Sequence, residues 1–132
     1  LNPDVVQIPD ESSARLYISV RTRVADGGLV LHPAKIRLLR RMVRDRLYRS
    51  RSVEETLRLY DSVQRGEGLY IMPHKHRATH EIDTFFPYEI GAYRPLLLQD
   101  LLGLGPEALA PIQDLLQILT NAAPLRAAIG QL

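Results

Sequence analysis

Two helices are written back to back in this chain, and the joint between them leaves little freedom to fold otherwise. Pro33 suits the first turn of a helix, where its fixed φ fits and its missing N–H is not needed. The pattern predicts a helix from there to about Tyr48. Ser52-Val53-Glu54-Glu55 is then a capping box: the Ser52 hydroxyl accepts from the Glu55 amide while the Glu55 carboxylate reaches back. It opens a second helix, predicted from Val53 to about Gln64, with Val53, Leu57, Tyr60 and Val63 inward and Gly66 and Gly68 ending it. Between the two, Arg49-Ser50-Arg51 is expected as a tight, exposed basic tip.

Helical phase sorts the first helix. At about 100° per residue, Ile36, Leu39, Val43 and Leu47 fall on one stripe. Arg37, Arg41 and Arg44 fall on the neighbouring flank with Tyr48 below them, and Arg46 points elsewhere. Eight of the seventeen residues from Lys35 to Arg51 are basic, Asp45 is the only acid, and every basic residue but Lys35 is arginine. A guanidinium donates two parallel hydrogen bonds to carboxylate or phosphate, so this run points to an anionic partner. The competing reading is a solvated face, but such faces usually intersperse Glu for pairing one turn apart. Like charges at Arg37/Arg41 and Arg40/Arg44 cost roughly a few tenths of a kcal/mol per pair unless an anion offsets them.

Composition narrows the class. At 132 residues, 45% apolar and 24% charged, the chain suits one soluble domain. A net charge of +2 makes the basic character local, unlike that of a generic nucleic-acid binder. Arginine outnumbers lysine fifteen to two, a bias that genome composition also produces. The absence of cysteine removes disulfide and thiolate chemistry and fits a reducing compartment. No apolar run reaches membrane-span length, and LNPDVVQIPDESS has neither a basic n-region nor an apolar h-region. A soluble, cytoplasmic protein with no membrane partner is expected, with homo-oligomerisation left open.

Outside the helical pair, residues 1–13 read as a loop or connector. Arg15–Val20 reads as a partly buried strand, and Ala25-Asp26-Gly27-Gly28 as a turn. Leu69–Met72 is a short apolar run before Pro73, and Ile82–Phe86 reads as another strand stopped by Pro87. Tyr88–Arg94 is ambiguous, and Pro95 is expected to bar a continuous helix. Helices are expected near Leu96–Leu102, Glu107–Thr120 and Leu125–Ala128. His74, His76 and His80 have spacings compatible with metal ligation, with Glu81 or Asp83 as oxygen donors, but Lys75 and Arg77 between them would repel a cation. A basic phosphate-facing loop or a plain surface loop is the alternative there, and His32 reads as structural. No nucleophile elbow, triad or GxxxxGK[ST] phosphate loop is present.

The stretch Ile36-Arg37-Leu38-Leu39-Arg40-Arg41-Met42-Val43-Arg44-Asp45, followed by Tyr48-Arg49-Ser50-Arg51-Ser52-Val53-Glu54-Glu55-Thr56, resembles the uridine kinase family. That family belongs to the P-loop kinases with phosphoribulokinase, and the likeness is to its bacterial nucleoside kinase branch. Leu1-Asn2-Pro3, Arg15-Leu16-Tyr17-Ile18-Ser19, Ser62-Val63-Gln64-Arg65-Gly66-Glu67, Tyr88-Glu89-Ile90 and Leu125-Arg126-Ala127-Ala128-Ile129-Gly130 resemble it in the same order.

The resemblance implies the C-terminal portion of an α/β P-loop NTPase-like kinase with a parallel sheet, a helical lid over the phosphates and a helical C-terminal tail. Residues 1–95 would be the C-terminal half of the kinase domain, with lid helices over 34–65 and a last strand near 82–86. Residues 96–132 would be the tail. It further implies that Arg44 and Arg49 contact ATP phosphates and that Arg41 and Arg51 contact the nucleoside, with Arg37 and Arg40 as candidates for additional phosphate contacts. ATP and Mg²⁺ would serve the complete enzyme, together with an upstream P-loop half of the same protein. Leu59 stands where uridine kinases place a substrate-binding glutamine, a departure from the family pattern. The phosphate loop and catalytic base are not in this sequence, so no catalytic residue is assigned and the chain alone is expected not to turn over ATP. The alternative is a non-catalytic module that holds polyphosphate or RNA on the arginine-rich helix.

Overall fold

The computed structural model describes residues 9–123. After a short 3-10 turn, Asp10–Ser12, come β1 (Leu16–Ser19), β2 (Val24–Asp26), β3 (Leu29–Leu31), α1 (Pro33–Tyr48) and α2 (Val53–Tyr70). A 3-10 stretch, Met72–Arg77, leads into β4 (His80–Asp83), then α3 (Glu89–Leu102) and α4 (Pro106–Leu109). A further 3-10 turn, Ala110–Ile112, precedes α5 (Gln113–Asn121).

The expected strand at Arg15–Val20 forms as β1 and pairs in parallel with β4, Leu16 opposite His80 and Ile18 opposite Ile82. Everything from β2 to the 3-10 stretch is the crossover between them. The strand expected at Ile82–Phe86 begins two residues earlier and ends three earlier, where the Asp83 carboxylate stops it. That carboxylate accepts from Arg21 N–H, the Thr22 hydroxyl and Phe85 N–H, which turns the chain outward. These three donors hold Asp83 down at about 2, far below the ordinary 3.8. The turn at Gly27-Gly28 joins β2 and β3 into an antiparallel hairpin. Both glycines have positive φ, 54° and 83°, which only glycine adopts freely at both central positions.

α1 is the central helix, with Ile36, Leu38, Leu39 and Met42 fully buried. Its buried stripe is rotated from the expected one: Leu47 is half exposed, while Met42 and Asp45 are inside. His32 is structural, as expected: its Nδ1 caps the helix by accepting from Ala34 N–H at 3.1 Å. The Ser52 capping box forms in both directions, at 3.2 and 2.9 Å. α2, however, runs six residues beyond Gln64, through both glycines to Tyr70. Neither Gly66 nor Gly68 has a heavy atom near the position a Cβ would take, so helix continuation there meets no obstacle.

Pro95 also fails to stop its helix, since α3 passes straight through it. The Pro95 ring removes one backbone bond, but Leu97 and Leu101 just beyond it are completely buried and hold the next turns in place. The helix expected at Glu107–Thr120 is broken into α4, the 3-10 turn and α5, and the one at Leu125–Ala128 lies outside the described residues. The division expected at residues 95 and 96 falls inside α3. Leu97, Leu101, Ile112, Leu115, Ile118 and Leu119 share one core cluster with Val20, Leu31 and α1, so the later helices complete the main core. The architecture is mixed α/β, and no helix among the described residues is long and apolar enough to cross a membrane.

Candidate anion site at the corner of the helical pair

The arginine run divides by counter-charge. Arg40 donates from Nε to the Glu89 carboxylate at 2.8 Å and from its terminal nitrogens to Glu89 and Thr84. Glu89 is buried at the start of α3 and also accepts from Phe86 N–H and the Tyr93 hydroxyl. Burial opposes the Glu89 charge, but the Arg40 pair and these donors outweigh it and hold the carboxyl below its usual range. The same burial, with the adjacent carboxylate, pushes the Tyr93 hydroxyl up to about 12. Arg40 is therefore a tether from α1 to α3. Arg46 pairs with Asp100 at 2.7 Å, Arg37 with Glu67 at 2.7 Å and Lys35 with Asp114 at 3.4 Å. Arg37 and Arg40, expected as additional phosphate contacts, thus meet the protein's own carboxylates, on other helices.

The corner between α1 and α2 is different. Asp45 is fully buried and takes three guanidinia: Arg44 at 2.9 Å, Arg51 at 3.1 Å and Arg49 at 3.6 Å. Its main-chain carbonyl accepts the N–H groups of Arg49 and Arg51, and the Thr56 hydroxyl lies 3.3 Å from its carboxylate. Burial works against the Asp45 charge, but hydrogen bonds from Arg44 and Arg51, their positive charge and Thr56 prevail, and the carboxyl is held below its ordinary value. Ser50 closes the turn in the left-handed region at φ 49°, which brings Arg51 back under the end of α1. A single carboxylate thus gathers Arg44, Arg49 and Arg51, whose side chains stay 42%, 51% and 33% exposed.

Arg41, one turn before Arg44, is half-buried and has no ion pair with any described residue. It faces the α1–α2 groove, close enough to Tyr60 to act on that hydroxyl. Burial raises the Tyr60 pKa overall, against the pull of Arg37. Tyr60 donates to the Ala34 carbonyl at 2.7 Å, which pins the middle of α2 to the first turn of α1.

Of the four arginines expected in phosphate and nucleoside roles, Arg44, Arg49 and Arg51 therefore meet at one corner, carrying three positive charges against the single Asp45, while Arg41 lies on the Tyr60 side of the helix pair. Each guanidinium has five N–H donors, and only part of each set is used. The remaining N–H groups on these partly exposed side chains are of the kind that pair with anionic oxygens. The sequence hid Asp45, whose role as anchor had one signal: a lone acid inside a run of arginines. His74, His76 and His80 do not converge, and no group of three His, Asp or Glu side chains among the described residues suits a metal. Compared with protein-family models, curated proteins and solved structures, the chain matches none.

Proposed function

We propose that this chain is the lid-bearing part of an ATP-dependent, uridine kinase-like nucleoside kinase, which transfers the γ-phosphoryl group of ATP to a nucleoside ribose hydroxyl. The observation that carries the reading is the threefold excess of guanidinium over carboxylate at Asp45. Phosphoryl transfer needs positioning and positive charge along the transferred group more than covalent help from the protein. In this reading Arg44 and Arg49 bind the ATP phosphates with their outward N–H groups, while Arg41 and Arg51 orient the acceptor. Asp45 holds the cluster before the anion arrives, so little side-chain entropy is lost on binding. In this reading Mg²⁺ is bound mainly by the P-loop half, with the phosphate loop and the base.

The bare face of the parallel pair also supports an additional layer. Leu16, Ile18 and Ile82 are 54%, 59% and 44% exposed, although parallel strands ordinarily lie covered on both faces. A polyphosphate or RNA track along the whole arginine helix is the weaker reading, because Arg37, Arg40 and Arg46 are consumed by carboxylates on other helices.

The test is a phosphate-transfer assay over a panel of nucleosides, with the chain joined to its upstream region. Arg44→Ala and Arg49→Ala should each lower kcat/KM for ATP tenfold or more. Their stability cost should stay under about 1 kcal/mol, since two other guanidinia remain on Asp45. Unchanged kcat/KM in both variants overturns the assignment.

A further inference from the structure

At the C-terminal end of α2, the segment from Tyr70 to Ala78 folds back against β1 and borders an open cleft of about 570 Å³. Its walls include Arg15, Tyr17, Tyr70, His74, Lys75 and Arg77, and no Asp or Glu among the described residues lines it. The Lys75 ammonium stands 4.9 Å from the centre of the Tyr17 ring, so cation and aromatic face already occupy one wall together. The Glu81 carboxylate stands 3.9 Å from Lys75 and is shared with Arg21. Arg77 has no ion pair with any described residue, and Tyr70 is 76% exposed, a large cost for a tyrosine that covers nothing.

Cations next to an exposed aromatic ring match one ligand chemistry, a flat aromatic ring that carries an anionic group. The volume suits one such ligand and gives no continuous track for a polymer. We propose that this cleft is a nucleoside monophosphate site, separate from the Asp45 corner. The base stacks on Tyr70, and the phosphate is met by Arg77, His74 and Lys75. The backbone favours a fixed site. Thr79 bonds to both Arg15 N–H and Arg15 carbonyl, which locks the cavity's lower edge to β1. The proposal stands on this cleft alone and does not depend on the kinase reading.

The experiment is calorimetric titration of the 132-residue protein with a nucleoside monophosphate, with inorganic phosphate and the unphosphorylated nucleoside run in parallel. Tyr70→Ala and Arg77→Gln both alter exposed side chains and keep the fold, which circular dichroism checks. Each should weaken monophosphate binding about tenfold, the size of one base stack or one phosphate contact. Arg58→Gln, on an exposed face of α2 outside both sites, should leave it unchanged. No saturable binding overturns the proposal, as does binding that survives both cleft variants. Loss in the Arg44 and Arg49 variants instead would move the ligand to the Asp45 corner and overturn it too. Inorganic phosphate as tight as the monophosphate would remove the aromatic half of the site, and with it the proposal.

Discussion

Asp45 shows how one residue changes the meaning of its neighbours. In the sequence it is the exception in a basic run; in the fold it is the fully buried point on which Arg44, Arg49, Arg51 and Thr56 converge. Asp45→Asn keeps the shape and removes the charge, leaving three crowded guanidinia without a counter-ion. It should cost about 2–3 kcal/mol in urea unfolding at neutral pH, the range for losing charged hydrogen bonds at a buried group. The folded-state pKa of Asp45 is lowered, so its contribution is complete above the ordinary carboxylate range and disappears as pH falls through the folded value. The gap between wild type and Asp45→Asn should therefore be constant from about pH 5 to 8 and close below about pH 4, near the unfolded Asp value. A gap that persists undiminished at pH 2 would mean the asparagine acts by shape alone. Helical phase grouped Arg37, Arg41 and Arg44 correctly but gave no sign that Arg37 would find Glu67, thirty residues on.

At the scale of elements, the helical pair was legible because its signals are local. The Pro33 start and the Ser52 capping box act within one turn, and both stand as read. The ends chosen on glycine and proline failed for a shared reason. Gly66, Gly68 and Pro95 carry local penalties of a size that packing overrides: α2 is anchored upstream by Tyr60, and α3 downstream by Leu97 and Leu101. The glycines nevertheless keep their cost. Gly66→Ala and Gly68→Ala, placed in a helix with open space around them, should each stabilise the protein by about 1 kcal/mol, visible as a raised thermal midpoint. A fall in midpoint for either would show that α2 does not extend past Gln64 in solution. The β2–β3 hairpin went unread except for its turn, because strands of three residues are too short to show alternation.

The whole molecule is a central arginine-bearing helix held by ion pairs to three later elements, with a two-stranded parallel sheet whose outer face is bare. If that face is uncovered in the isolated chain, Ile18→Thr with Ile82→Thr should shift the unfolding free energy by less than about 0.5 kcal/mol and reduce binding of a hydrophobic dye. A loss above about 2 kcal/mol would show instead that both side chains are packed. The sequence alone determined what depends on near neighbours: the starts of two helices, a glycine turn, a strand within Arg15–Val20 and an excess of guanidinium over carboxylate. Tertiary structure alone decided which arginines are free. Arg37, Arg40 and Arg46 find carboxylates on α2 and α3, whereas Arg44, Arg49 and Arg51 share one and Arg41 has none among the described residues. Pairing is set by which side chains the packed helices bring within about 4 Å, a distance in space that spacing along the chain does not encode.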